Sequence, residues 1–157
     1  YVAGKYVELN GRAASNVSKF KQLDHTAYKD FRRLYPEILV LGGVYPKYYV
    51  PAPYFNIEKD MRQGKERAEA IVVTGDGTGI ETPIEKIMEF RRVLGDYPLI
   101  VGAGLNKENA EKQLSIADGA IVGSAVVDLV AKNIKNRKKI LQKIDNYVRT
   151  MKKATLN

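Results

Sequence analysis

Short apolar runs without polar alternation are the feature that most constrains the fold of this chain. Four of them stand out, each rich in β-branched residues: Ile38–Val44, Ala70–Thr74, Leu99–Val101 and Ala120–Val122. A strand with one solvated face alternates apolar with polar residues, whereas a continuous apolar run is expected where both faces of a sheet are covered. Longer segments with helical patterns separate the runs. This alternation is typical of successive βαβ units and predicts a parallel sheet.

Three helices are predicted between these runs, each with a start signal: Ile57–Arg67 after Asn56, Ile84–Leu94 after Thr82 and Pro83, and Lys107–Ser115 after Asn106. Asparagine and threonine side chains accept hydrogen bonds from the unpaired amides of a first helical turn, and proline is tolerated there because it has no N–H group. A further helix, Ser15–Leu34, is predicted before Pro36. Only a weak strand pattern, Tyr6–Leu9, comes before it.

The length of 157 residues and the hydrophobic content of 45% are sufficient for one domain with a core. No change of composition marks a linker between two domains. We therefore expect a single domain over residues 1–157, with a loop and helix in 1–35 and the βα units in 36–157. The longest apolar runs are far shorter than the roughly 20 residues of a membrane-spanning helix, so no transmembrane segment is predicted.

Residue types that build disulfides and metal sites are scarce. The chain has no cysteine and a single histidine, His25. The lack of cysteine excludes disulfides and thiolate metal sites, and it favours a reducing, cytoplasmic setting. We predict no cofactor.

The formal net charge of +8 raises nucleic acid or an anionic membrane surface as a partner. Much of the excess lies between Lys132 and Lys153, a segment predicted to be a final amphipathic helix. Its apolar residues recur at helical spacing: Ile134, Ile140, Leu141, Ile144, Tyr147, Val148 and Met151. We interpret the lysines as a solvated helix face and do not expect nucleic acid as a partner. The alternative, a functional basic patch, predicts binding that weakens steeply with salt.

Glycine-rich segments follow the last two predicted strands. Gly102 and Gly104 lie between one strand and the helix after Asn106, and Gly123 and Ser124 follow the other strand. Without a Cβ atom, backbone amides approach an oxyanion closely, and a helix N-terminus favours negative charge. Because (β/α) barrels often bind phosphate between the loops after their seventh and eighth strands, the pair predicts a phosphate site. Plain turn geometry is the alternative explanation.

Two further loops follow predicted strands at the same end of the sheet. Thr74–Gly79 contains three glycines, two threonines and Asp76, so it either clamps a ligand or forms a surface turn. The segment Tyr45–Phe55 is irregular and rich in tyrosine and proline. A long loop directly after a parallel strand is often functional, since ligands bind beyond the carboxyl ends of such strands. Its tyrosines alternatively cover the end of the sheet.

Three motifs together resemble the BtpA/SgcQ family of (β/α) barrels, which is related to the ribulose-phosphate-binding barrels. They are Ala68–Gly75 followed by Thr78 and Gly79, Pro98–Asn109, and Ala117–Ser124. The resemblance covers about Ile38 to the end of the chain and implies that the four apolar runs are strands five to eight of a TIM barrel. Residues 104–109 resemble the family's G-(V/I)-T-x-E-N helix start, with asparagine at 106 in place of threonine.

The chain departs from this family in two ways. The family's fifth strand usually ends in A-D-V-H-x-K-H, whereas residues 42–48 here are G-G-V-Y-P-K-Y, so Lys47 alone remains of the charged and imidazole groups. Without the aspartate and histidines, no metal site is predicted. The family also has four earlier strands, and four βα units cannot close an eight-stranded ring alone. We therefore expect either a homo-oligomer or a missing barrel half.

The resemblance implies a barrel that binds a phosphorylated small molecule, such as a sugar phosphate or a nucleoside-related compound, and a diverged enzyme is one hypothesis for it. Lys47 and Asp76 are the candidate acid/base residues. The candidate ligand-binding residues are Thr74, Gly75, Thr78, Gly102, Gly104, Asn106, Gly123 and Ser124. The alternative is a non-catalytic assembly or biogenesis factor on the same scaffold, which the altered fifth strand favours. Catalysis itself stays an open question.

Overall fold

The computed structural model describes residues 2–8, 20–53 and 55–155. Its strands are β1 (Lys5–Glu8), β2 (Phe20–Gln22), β3 (Leu41–Gly43), β4 (Tyr49–Pro51), β5 (Ala70–Val73), β6 (Leu99–Val101) and β7 (Gly119–Ala120). Its helices are α1 (His25–Leu34), α2 (Ile57–Lys65), α3 (Ile84–Leu94), α4 (Ala110–Leu114), α5 (Ser124–Lys132) and α6 (Arg137–Ala154). No helix in these ranges has both the length and the apolar character that crossing a membrane requires.

The four predicted apolar runs form a parallel sheet in the order β3-β5-β6-β7, so the predicted fold class is confirmed. Leu41 lies opposite Ala70, Ile71 opposite Leu99, and Val101 opposite Ala120. Parallel neighbours need a long crossover connection, and helices α2, α3 and α4 lie in the three connections. This is the arrangement of four consecutive βα units in a TIM barrel.

One face of the parallel sheet packs against helices. Ile71, Val73, Leu99 and Val101 point to that face and are fully buried. They pack in one apolar cluster with side chains of α2 and α3, among them Met61, Ile87, Phe90 and Leu94. The spacing of Ile87, Phe90 and Leu94 places them on one side of α3. Each fully buried side chain of this size contributes about 1.5–3 kcal/mol, so this layer is the core.

The other face of the sheet is less covered. By strand alternation it carries Leu41, Val72, Ile100 and Ile121. Leu41 is 52% exposed and Ile121 is 45% exposed, while Val72 and Ile100 are half-buried. In a complete eight-stranded barrel this face is the filled interior. We refer to it as the inner face.

The N-terminal part contains a second sheet, which the sequence did not predict. Strand β1 pairs antiparallel with both β2 and β4, giving the order β2-β1-β4. The predicted strand Tyr6–Leu9 is therefore confirmed as β1, except that Leu9 lies outside the described residues. The loop Tyr45–Phe55 is not wholly irregular, since it contains β4; its Tyr54 also lies outside the described residues.

The predicted helix Ser15–Leu34 is wrong over its described first part. Phe20–Gln22 form strand β2, and residues 15–19 lie outside the described ranges. Pairing with β1 satisfies the backbone groups of β2, so a tertiary contact overrides the local helical pattern. Helix α1 begins at His25, where the Asp24 carboxylate accepts hydrogen bonds from the amides of Thr26 and Ala27 at 3.0 Å each.

The other helices agree with the sequence to different extents. Asn56 caps α2 as predicted, accepting from the Lys59 amide at 2.8 Å. Helix α3 has its predicted range, but the Thr82 hydroxyl donates to the Ala103 carbonyl at 3.1 Å rather than capping it. The predicted final helix over 132–153 is interrupted, because α5 ends at Lys132 and α6 begins at Arg137.

The Asp118 carboxylate fastens the start of β6 to the turn before β7. Its Oδ2 atom accepts from the Leu99 amide at 2.8 Å and from Arg91 Nη2 at 2.7 Å. Burial alone would raise the pKa of Asp118, but the hydrogen bonds from Arg91 and Leu99 outweigh it and hold the pKa below its ordinary value.

We predict that Asp118→Asn lowers the free energy of unfolding by about 1 kcal/mol near neutral pH, since it weakens these two hydrogen bonds. Because the folded pKa is depressed, the contribution of Asp118 is complete above the ordinary carboxyl pKa of about 3.9 and is lost as the pH falls through the lower folded value. Denaturant unfolding across this pH range measures the effect. Asp96→Asn, at an exposed position, is the control. If the difference in the free energy of unfolding between wild type and Asp118→Asn stays constant as the pH falls into the acid range, the role assigned to Asp118 is contradicted.

Candidate functional site

The loops after the parallel strands line a small cavity at the carboxyl edge of the sheet. Its volume is about 160 Å³, and its lining comes from all four loops. The loop after β3 supplies Lys47, the loop after β5 supplies Gly79, and the loops after β6 and β7 supply residues 102–105 and 121–125. Five of the residues predicted from the sequence therefore lie around one space: Lys47, Gly102, Gly104, Gly123 and Ser124. We call this space the loop cavity.

The start of α5 opens onto the loop cavity. Gly123 is the N-cap, and a Cβ atom built on it would meet no atom within 4 Å. The first amides of a helix have no acceptor within the helix, and the helix dipole makes this end positive. Gly123 and Ser124 thus present amide donors and a hydroxyl group beside open space, which suits an oxyanion.

Gly102 and Gly104 have a different role, because packing around them requires glycine. Gly104 has a φ of +68°, and a Cβ atom there would lie 2.4 Å from the backbone of Glu81. At Gly102 a Cβ atom would lie 2.5 Å from the Val72 side chain. The Gly102 amide donates to the Val73 carbonyl at 2.8 Å, so it is not available to a ligand. These two glycines shape the wall of the cavity.

Lys47 reaches the loop cavity from a strained turn. Tyr45 and Tyr48, on either side of Pro46 and Lys47, have φ values of 52° and 65°, which large side chains rarely adopt. The Lys47 amide donates to the Thr74 hydroxyl at 2.8 Å. The Tyr45 amide donates to the Tyr6 hydroxyl at 2.7 Å. We call residues 45–48 the tyrosine turn.

Lys86, which the sequence analysis did not select, supports this turn from α3. Its Nζ atom donates to the carbonyl oxygens of Thr74 at 2.8 Å and Tyr45 at 3.2 Å, and it lies 4.1 Å from the centre of the Tyr45 ring. Burial lowers the pKa of Lys86, and the negative charges of Asp76 and Glu89 offset only part of this effect by raising the pKa. A positive charge in the first turn of a helix is unfavourable, because the helix dipole makes that end positive. The unusual position of Lys86 in the first turn of the predicted helix is the signal in the sequence that could have selected it.

The remaining predicted site residues do not line the loop cavity. Thr74 is buried, with its hydroxyl accepting from Lys47, and Gly75 is packed so closely that a Cβ atom would lie 2.6 Å from the Glu81 carbonyl oxygen. Thr78 is bonded to Tyr48. Asp76 is exposed.

Asn106 is used locally, and this explains why α4 begins at Ala110 instead of at the predicted Lys107. Its Oδ1 atom accepts from the amides of Glu108 at 2.9 Å and Asn109 at 3.1 Å. The Asn109 side chain in turn accepts from the Asn106 amide at 2.8 Å. These bonds stabilise a turn ahead of the helix, so the Asn106 side chain is committed to the loop.

Within the described ranges, no three histidine, aspartate or glutamate residues are grouped to hold a metal ion.

Two alanine substitutions separate a packing glycine from a cavity glycine. We expect Gly104→Ala to lower the free energy of unfolding by at least about 2 kcal/mol, because a positive φ and a backbone clash both oppose a Cβ atom. Gly123→Ala should change it by less than about 1 kcal/mol, since its φ is ordinary and its Cβ position is open. Equilibrium denaturant unfolding of both variants tests this. Equal losses of stability would show that Gly123 is also a packing residue.

Comparison with known proteins finds relatives among the tryptophan synthase alpha chains. The chain is 36% identical over 87 residues to that of Francisella tularensis subsp. tularensis (strain WY96-3418), which covers 54% of this chain and 32% of the relative. It is 35% identical over 86 residues to that of Buchnera aphidicola subsp. Baizongia pistaciae (strain Bp), with the same coverage. The Clostridium kluyveri protein is 34% identical over 83 residues, 52% of this chain and 31% of the relative. The matched region spans about a third of the length of these relatives.

A family model describes nearly the whole chain. The match is to the BtpA family and extends over residues 2–152. It includes the N-terminal sheet as well as the four βα units and their loops. The chain therefore belongs to the BtpA family.

Proposed function

We propose that this protein binds a phosphorylated small molecule in the loop cavity. The observation that carries the proposal is the convergence of Lys47 and the open start of α5 on one space. Lys47 brings a full positive charge with three donors, and the helix start brings amides and a favourable dipole. Lys47 follows one edge strand of the parallel sheet and α5 follows the other, so residues from both edges line the same small volume.

The size of the loop cavity supports a bound group rather than a whole ligand. Its volume of about 160 Å³ is below the roughly 300–1,000 Å³ of sites that enclose drug-sized ligands. A phosphate group at α5 would leave the rest of the molecule to lie over the inner face, beside Ile121 and Ile100. The family's relation to ribulose-phosphate-binding barrels favours a sugar phosphate or a nucleoside-related compound.

If the protein is a diverged enzyme, Lys47 is the better placed of the two acid/base candidates, because it lines the loop cavity. Asp76 lies on the neighbouring loop and is exposed, so it needs a ligand that extends past Gly79. The absence of cysteine is in keeping with a cytoplasmic setting for such an enzyme.

A second function, a non-catalytic assembly or biogenesis factor, is favoured by the tyrosine turn. Where the family carries an imidazole, Tyr45 packs against Phe55, with ring centres 5.3 Å apart, and under the Lys86 ammonium group. These contacts are those of a packing residue. Such a protein retains ligand binding without turnover, so binding measurements alone support both functions and an activity assay separates them.

We predict that inorganic phosphate and a pentose phosphate raise the melting temperature of the wild-type protein. Lys47→Gln should weaken the affinity by about tenfold or more, because it removes a hydrogen bond to a charged group. Gly123→Leu should weaken it further by filling the space at the start of α5. Thermal shift followed by isothermal titration calorimetry measures both effects.

Lys143→Gln is the matched control, since it removes the same charge from an exposed position on α6. We expect its phosphate affinity to stay within about twofold of wild type. A wild-type protein that shows no shift with any phosphate compound contradicts the phosphate site. An equal loss in Lys47→Gln and Lys143→Gln would indicate a general charge effect instead of a specific site.

We also propose that further strands complete the sheet, supplied by a second copy of the chain; βα units from a longer chain are the alternative. Parallel sheets are normally covered on both faces, and here the inner face exposes Leu41 and Ile121. Exposed apolar surface of this kind is typical of association sites. The +8 net charge limits association driven by charge alone.

Light scattering coupled to size-exclusion chromatography tests this association. We expect a mass of at least twice that of one chain, and we expect Leu41→Glu to shift the protein toward the monomer by placing a charge on the inner face. Val148→Glu is the control, because Val148 is 53% exposed, close to the 52% of Leu41, but lies on α6. A monomeric wild-type protein over the whole concentration range contradicts the proposal.

A further inference from the structure

Two hydrogen bonds join the Tyr48 side chain to Thr78. The Thr78 amide donates to the Tyr48 hydroxyl oxygen at 2.8 Å, and the Tyr48 hydroxyl donates to Thr78 Oγ1 at 2.7 Å. The two residues are 30 positions apart in sequence and belong to different loops. We call this pair the Tyr48–Thr78 clamp.

Each side of the clamp is next to a residue of the loop cavity. Lys47 precedes Tyr48 and Gly79 follows Thr78, and both line the cavity. Two further bonds run between the same loops, from the Lys47 amide to the Thr74 hydroxyl at 2.8 Å and from the Tyr48 amide to the Asp76 carbonyl at 3.3 Å. Along the loop after β5, the clamp at Thr78 is the bond furthest from the strand, so it joins the two loops beyond the bonds at Thr74 and Asp76.

The conformation of Tyr48 indicates that the clamp does more than fill space. Its φ of 65° is unfavourable for a large side chain, and such strain persists where surrounding contacts enforce it. Tyr48 as a whole residue is 47% exposed, so burial does not account for the conformation. Hydrogen bonding with the Thr78 side chain, and then the bond from the Thr78 amide, hold the pKa of Tyr48 below its ordinary value, because the Thr78 hydroxyl can turn to donate and both groups then stabilise the phenolate.

We propose that Tyr48 is a positioning residue, which holds Lys47 and Gly79 at the loop cavity through its hydroxyl bonds to Thr78. This inference rests on the proposed function, because it assigns the clamp to the phosphate site. Tyr48 occupies a position where the family carries an imidazole. The phenol here replaces that group with a tether between two ligand-binding loops.

Three variants isolate the hydroxyl bonds. Tyr48→Phe keeps the ring but removes the acceptor of the Thr78 amide. Thr78→Val keeps the shape of the side chain but removes Oγ1, and Thr78→Ser restores an Oγ atom. Tyr35→Phe is the matched control, because Tyr35 is also 47% exposed and lies at the end of α1, outside the site.

Amide hydrogen exchange in the ligand-free protein is the first measurement. We expect Tyr48→Phe and Thr78→Val to speed exchange at Lys47 and Gly79 by about fivefold, the effect of losing one hydrogen bond, with no change at Ser124. Thr78→Ser should return the rates toward wild type. Thr78→Val should also raise the pKa of Tyr48, read from tyrosinate absorbance in difference spectra against Tyr48→Phe, because it removes the side-chain hydrogen bond that lowers this pKa.

Titration with inorganic phosphate is the second measurement. We expect Tyr48→Phe and Thr78→Val each to weaken binding by about fivefold, and Thr78→Ser and Tyr35→Phe to bind within about twofold of wild type. Unchanged exchange at Lys47 and Gly79 overturns the inference, and so does faster exchange with unchanged phosphate affinity. A wild-type protein that binds no phosphate overturns the proposed function, while faster exchange in the same variants still supports the tether between the loops.

Discussion

The packing of α2 and α3 against one face of the parallel sheet is the contact on which the rest of the structure depends. Ile71, Val73, Leu99 and Val101 are fully buried in this layer, and their burial fixes the strands in parallel register. Once the register is set, all four strands end at the same edge. The loop cavity exists because four loops, which are distant in sequence, leave the sheet at that edge.

The loops are held together mainly by side chains that bond to backbone atoms. Lys86 bonds to the carbonyl groups of Thr74 and Tyr45, Thr74 accepts from the Lys47 amide, and Tyr48 accepts from the Thr78 amide. Such bonds fix loop positions without regular structure, since they satisfy polar groups that a strand would otherwise pair. Residues 45–48 form such a loop segment, a tyrosine-rich turn that is hydrogen-bonded to the loop after β5.

The glycines of the site show that one residue type serves two purposes. Gly104 is required by its positive φ and by the Glu81 backbone, and Gly102 by the Val72 side chain. Gly123 meets no neighbour, so its lack of a Cβ atom keeps the start of α5 open. In the sequence these residues look alike, because each simply follows a strand. Only the atoms that surround each one separate a glycine that packing requires from one that borders open space.

The sequence by itself determined the parallel βα organisation and the position of most helices, because apolar runs, caps and periodicity are local signals. It also selected five of the residues that line the loop cavity. The tertiary structure alone decided that Phe20–Gln22 form a strand, since that strand exists through pairing with β1. It likewise decided the partners of Lys86 and Tyr48, because those partners lie in other loops. Contacts between distant residues leave no periodic pattern in the sequence, and these contacts build the site.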